Sequence, residues 1–419
     1  MDISTNVIES QVPDGGVSEY GYDAIGRLIS SNNENNISYD ANGNVRSLRR
    51  ISATGEEIIA DLTMSYNDNN RGNRLASVTN TGTEDTGTFT YAYDSSGNLT
   101  SDTRNSLEIQ NNVLNLPMRV NQSGTMGGTM TYTYLGDGTR VAARVGTSPT
   151  SHAGKRYRGT FVYDVTSGGA QSLESVAVST GRLIALTGTN GAVSFESDGF
   201  ITDHLGNVAV VVNLSASSAT STDNAILEQN EYTPFGTKLN VTGLKSQTAN
   251  RWRYAGKEEQ DIAGMNLRLL DFGVRYYDSF TCRWNAVDPL AHKYFPMSPY
   301  NYCGNDPVNR FDPDGKAEIL VRVAVGSVIG AGVEGITAAV QGKSSNEIKG
   351  AIAKGAIEGA VIGATFNVKM GVAAAVAVNA VTGAAGSAAE QVISEGTDNI
   401  NWKKRRSWCN CWIWDKFSR

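Results

Sequence analysis

Cysteine, histidine and paired carboxylates are where chemistry would start, and this chain supplies them sparingly. It has four cysteines and three histidines in 419 residues. Cys409 and Cys411 have one residue between them and no matching pair nearby, so no zinc site is expected. Cys282 and Cys303 are too scattered for a disulfide framework. His204, in Asp203-His204-Leu205-Gly206, has the chemistry of a base or a ligand, but it stands alone, which favours a turn or packing role. Arg275, Tyr276 and Tyr277 could stack on a sugar, although such residues are routinely buried in aromatic β-structures. Arg283 and Trp284 read as packing. Asp288-Pro289 and Asp312-Pro313 read in the first instance as turns, because Asp accepts backbone N–H groups and Pro fixes φ. After residue 316 the sequence contains no nuclease, deaminase or protease constellation, and no cofactor is expected.

Whatever these side chains do, a repeated β-element must position them. Tyr22-Asp23-Ala24-Ile25-Gly26-Arg27-Leu28 recurs as Tyr39-Asp40-Ala41-Asn42-Gly43-Asn44-Val45 and as Tyr93-Asp94-Ser95-Ser96-Gly97-Asn98-Leu99. Looser copies start at Tyr66-Asn67-Asp68, Tyr134-Leu135-Gly136-Asp137-Gly138 and Tyr163-Asp164. Before the turn, alternation such as Phe89-Thr90-Tyr91-Ala92-Tyr93 has the period of a strand. Asp opens the turn through its side chain, Gly takes the positive φ that other residues resist, and the aliphatic begins the return strand. One such unit cannot bury its aromatic face; stacked units can. The expected product is a mainly β fold, a strand-turn-strand array wound into a sheet. Its 45 glycines and nine prolines suit that reading.

A second series follows the repeats. It runs through Asp203-His204-Leu205-Gly206-Asn207-Val208, Tyr232-Thr233-Pro234-Phe235-Gly236, Arg253-Tyr254-Ala255-Gly256-Lys257-Glu258 and Asp271-Phe272-Gly273-Val274-Arg275-Tyr276-Tyr277-Asp278. It closes with Arg283-Trp284, Asp288-Pro289-Leu290, Ser298-Pro299-Tyr300-Asn301-Tyr302 and the stretch from Asn305 to Lys316. The repeats resemble the YD repeats of the Rhs family, and this ordered series resembles the Rhs repeat-associated core.

The resemblance implies a partial β-cocoon over residues 1–197, closed by a core domain over 198–316. It implies a polymorphic-toxin shell that encapsulates and presents a C-terminal effector, expected to be absent here, with an effector or immunity protein and a secretion machinery as partners of the full-length product. It further implies self-cleavage by an aspartyl-protease-like pair. Carried over residue by residue, the pair is Asp288 and Asp312, and the cut falls after Lys316. The first motif lacks the glycine of cleaving members, and the second ends in Lys316 rather than leucine. Two carboxylates sharing a site cannot both ionise cheaply, so one keeps a proton for the leaving group while the other activates water. The turn reading of both Asp-Pro pairs stays open beside this one. So do two other functions: a cell-surface adhesion or carbohydrate-binding protein, and an inactive truncated remnant.

Beyond Lys316 the composition changes to Ala, Gly, Val and Ile. Gly355, Gly359 and Gly363 are four apart, a spacing that lets helices approach closely. A Gly/Ala-rich helical pre-toxin region is therefore expected over 317–396. Arg322, Glu334, Glu358 and Lys369 interrupt every candidate span, and each charge at a bilayer centre costs roughly 2.5–3.5 kcal/mol. A glycine-zipper hairpin is favoured over a permanent span, with conditional membrane contact left to this region. Residues 397–419 form a short tail dense in Lys, Arg, Trp and Cys. It reads as a surface-binding segment or as an end without a selected role. The net charge of −6 gives no reason to expect nucleic acid. No signal peptide is visible, and the chain opens inside a repeat array, so a fragment of a secreted or cell-surface product is expected.

Overall fold

The structure, a computed structural model, describes residues 9–11, 17–124, 127–148, 151–178, 180–214, 226–242, 250–293, 295–316 and 319–320. The expected helical region 317–396 (apart from Ile319–Leu320) and the tail 397–419 lie outside the described residues.

Two compact units are present. In the first, thirteen strands from Glu34–Tyr39 to Gln171–Val178 pair one after another as an antiparallel meander. The repeat explains this. At Asp40, the backbone N–H groups of Asn42 and Asn44 both donate to Oδ1 at 2.9 Å, and Gly43 takes φ +79°. Asp23 repeats the arrangement and Asp94 accepts the N–H of Asn98, with Gly26 at φ +84° and Gly97 at φ +86°. The Asn or Arg after each glycine also reaches back to the Asp carboxylate, at 2.6 Å for Arg27, 2.8 Å for Asn44 and 3.0 Å for Asn98. That contact explains a repeat position that strand and turn propensity alone leave unexplained.

The tyrosines lock neighbouring repeats in register. Tyr39 Oη donates to the carbonyl of Leu28 at 2.5 Å, Tyr66 Oη to Val45 at 2.7 Å and Tyr134 Oη to Pro117 at 2.9 Å. Each hydroxyl thus caps the return strand of a preceding unit, and a phenylalanine would leave that carbonyl without this donor. One copy differs from expectation. Tyr163-Asp164 lies inside the strand Phe161–Val165, where Asp164 pairs across the sheet with Lys155 at 2.5 Å. The turn falls at Thr166–Ala170 instead. A further copy, Asn112-Val113-Leu114-Asn115-Leu116, has Asn in place of both Asp and Gly. Asn112 Oδ1 accepts from Leu114 and Leu116, and Asn115 supplies the positive φ.

Residues 230–241 and 249–319 belong to the same unit. They carry a four-stranded sheet, Glu258–Ile262, Met265–Asp271, Tyr276–Asp278 and Arg283–Trp284. Its apolar side chains complete two cores. Phe235, Tyr254, Phe272, Tyr277, Trp284 and Tyr302 pack on Leu48, Leu62, Met64 and Val78 of the meander. Ile262, Met265, Leu267, Leu269 and Tyr276 pack on Leu107, Val120 and Met130. A buried ionic seam joins the same partners: Arg251 binds Glu174 at 2.7 Å and Glu258 at 2.9 Å, while Arg140 binds Asp271 at 2.8 Å. Paired charges of this kind remain buried because each satisfies the other.

The second unit includes Val178–Gln229. Gly181–Thr187, Val193–Thr202 and Val208–Asn213 pair in order, the last also pairing with residues 226–229. Arg182 and Asp198 form a buried ion pair at 2.9 Å within it.

Candidate aspartyl site

Asp288 and Asp312 converge on one cation in the first unit. Arg275 Nη2 lies 3.0 Å from Asp288 Oδ2 and 3.4 Å from Asp312 Oδ2. Arg275 leaves the sheet at the hairpin that follows Met265–Asp271, and its guanidinium sits 4.2 Å over the Trp284 ring. Its Nε donates to the carbonyl of Gly315 at 2.5 Å. One side chain therefore holds both aspartates and the chain segment between Asp312 and Lys316.

Each carboxylate divides its oxygens between two tasks. Asp288 Oδ1 accepts the backbone N–H of Leu290 at 2.6 Å, and Asp312 Oδ1 accepts those of Asp314, Gly315 and Lys316 at 3.2, 2.7 and 3.2 Å. These are the turn contacts that Asp-Pro pairs make readily. The Oδ2 atoms face Arg275. Turn formation and a shared ion pair with Arg275 thus coexist in one arrangement.

The surroundings separate the two acids. Asp312 is 1% exposed. Burial pushes its carboxyl above the usual range, while the Arg275 charge and the backbone N–H donors pull it back. Asp288 has a side chain 17% exposed and is the closer partner of Arg275. Gly315, at φ +80°, is held where a Cβ would come within 3.2 Å of the Arg275 backbone nitrogen. Lys257 Nζ donates to the carbonyl of Pro313 at 2.6 Å, and Val274 N–H reaches the carbonyl of Asp314 at 3.4 Å.

Sequence reasoning named the two aspartates and missed the cation between them. Arg275, Tyr276 and Tyr277 offer no face to a sugar, since all three are at most 2% exposed. Lys257, within Arg253-Tyr254-Ala255-Gly256-Lys257-Glu258, carries no sequence signal of its place beside Pro313. His204 sits in the Asp203 turn, where Asp203 Oδ1 accepts from Leu205 and Asn207. Among the described residues no group of three His, Cys, Asp or Glu is placed to hold a metal ion.

No family model matches the chain. It is 24% identical over 302 residues to toxin subunit YenC2 of Yersinia entomophaga, covering 70% of this chain and 30% of that protein. It is 26% identical over 306 residues to the tRNA3(Ser)-specific nuclease WapA of Bacillus spizizenii, covering 72% of this chain and 11% of that one. This chain is homologous to Rhs/YD-repeat toxin proteins. It spans at most 30% of the length of the curated relatives it matches. Among solved structures, the TcdB2-TccC3-TEV crystal structure is similar with a TM-score of 0.48 and 17% identity, covering 73% of this chain and 17% of that one. Its described residues are mainly β, and the likeness to these toxin proteins extends over about 70% of the chain.

Proposed function

We propose that this chain is the shell portion of an Rhs-type polymorphic toxin, its core taken as 198–316, and that it releases a C-terminal segment by cutting itself after Lys316. One observation carries the proposal: two Asp-Pro carboxylates meet on Arg275 while Asp312 also gathers the N–H groups of the segment that ends at Lys316. The roles follow from burial. Asp312, raised by burial, is the partner that keeps a proton and donates it to the departing amine. Asp288, the more exposed acid and the closer partner of Arg275, is the one that takes a proton from the attacking water. Arg275 keeps the pair together.

Relatives named as a toxin subunit and as a nuclease support the shell assignment. Encapsulation, an effector or immunity partner, a secretion machinery and a secreted or surface location belong to this proposal in the full-length context. The test is a pair of variants, Asp288→Asn and Asp312→Asn, expressed beside the natural sequence. The new N-terminus of any fragment is then sequenced. Both variants must stay whole while the natural chain yields a fragment beginning at Ala317. Cutting by either variant at the natural rate would remove the aspartyl mechanism.

A further inference from the structure

Two cations, not one, grip the segment between Asp312 and Lys316. Arg275 Nε takes the carbonyl of Gly315 and Lys257 Nζ takes that of Pro313, two residues earlier. The two cations are coupled through aromatic rings. Lys257 Nζ lies 5.2 Å over Phe272, Phe272 meets Trp284 edge-on at 4.9 Å, and Trp284 underlies Arg275. Such a stack holds each cation by its ring and limits its rotamers. Lys257 is half-buried, and its ammonium is spent on the Pro313 carbonyl.

We propose that Lys257 is a positioning residue for the cut, fixing the Pro313 carbonyl so that the chain up to Lys316 lies across Asp288, Arg275 and Asp312. The inference rests on the self-cleavage reading above. Lys257 touches neither aspartate's oxygens through a hydrogen bond, so it acts through the segment it holds and through its charge. The charged groups that face it are Asp271, Asp312 and Asp314; those that face Asp312 are Arg275 and Asp314, with Lys257 itself. Its positive charge favours the ionised form of Asp312. Removing that charge therefore widens, toward high pH, the range in which Asp312 carries the proton.

The experiment is a pulse of cell-free synthesis of the whole chain, diluted into buffers from acid to mildly alkaline pH, with the cut fraction followed by gel. Lys257→Met is expected to slow the cut about 10-fold to 100-fold, the loss of a hydrogen bond to a charged donor. Lys257→Arg, which can still donate to a single carbonyl, is expected to restore the rate to within about threefold. Lys257→Gln keeps a neutral donor. It serves if the methionine variant melts, and it must move the high-pH limb upward. A purely structural lysine would move the melting temperature and leave that limb in place. Natural-rate cutting by Lys257→Met, or an unmoved limb in Lys257→Gln, overturns the inference and leaves the aspartyl pair standing. A natural chain that stays whole at every pH overturns both.

Discussion

The substitution Asp102→Asn should stabilise this protein at neutral pH and destabilise it in acid. Asp102 ends the strand Leu99–Asp102 and is 1% exposed. Burial and then the neighbouring Asp278 raise its carboxyl from 3.8 to about 6, against the pull of Asn105 and Arg104. A raised acid binds its proton more tightly in the folded chain. Its stabilising contribution is therefore complete below the unfolded value and is lost as pH rises from about 4 through about 6. A carboxyl moved that far forfeits about 3 kcal/mol by neutral pH. Asparagine keeps the acceptor for the N–H groups of Arg104 and Asn105 at 2.9 and 3.3 Å. It sets its own NH2 against Asn105 Nδ2, which now donates to Asp102 Oδ2 at 2.7 Å, at a cost of about 1 kcal/mol. The net expectation is a gain of about 2 kcal/mol near pH 7.5 and a loss of about 1 kcal/mol near pH 4. Urea unfolding of both proteins across that range, followed by tryptophan fluorescence, reads the difference. Parallel stability curves, with the same gap at both ends, would refute the reasoning that burial and Asp278 raise the Asp102 carboxyl.

Two other substitutions probe how the core segment is held to the meander. Glu34→Gln should cost about 3–5 kcal/mol, because it leaves Arg50 buried without its carboxylate. Arg50 Nε now lies 2.8 Å from Glu34 Oε1 and its remaining nitrogens reach the carbonyls of Ser279 and Phe280; chemical unfolding measures the loss. Gly97→Ala should cost about 2–4 kcal/mol. Its φ is +86°, and a Cβ there would sit 2.6 Å from Tyr300 Oη and 2.7 Å from Val287 Cγ2; raised hydrogen exchange around 285–300 is the accompanying signal.

The parts of this fold that are local in sequence were legible there. Asp, Gly and the following aliphatic at fixed offsets dictate a turn, and Asp23, Asp40 and Asp94 adopt it. The Asn112 turn escaped because Asn takes over both special positions, as acceptor and as the residue of positive φ. Tyr163-Asp164 misled because the dipeptide alone is too short to fix which residue opens the turn. A strand with Lys155 opposite uses the same Asp as a cross-strand partner.

The aspartyl pair was legible only through resemblance, and its geometry was not. Asp288 and Asp312 come together because Arg275, 13 and 37 residues before them, places its guanidinium between them. Nothing in a linear pattern gives that placement, since the guanidinium is set by Trp284 beneath it and by the sheet from which it projects. The same holds for Arg50, whose partners lie as far as 232 residues away. Periodicity announces which faces are apolar, but buried ion pairs of high sequence separation leave no periodic trace.

The most direct test of the central claim is the intact mass of the purified chain, taken with that of Asp312→Asn. The account predicts that the natural chain resolves into a fragment ending at Lys316 and its complement, while the variant keeps the mass of all 419 residues. A single whole-length mass for both proteins would contradict it, and would leave Asp288 and Asp312 as turn residues that share Arg275.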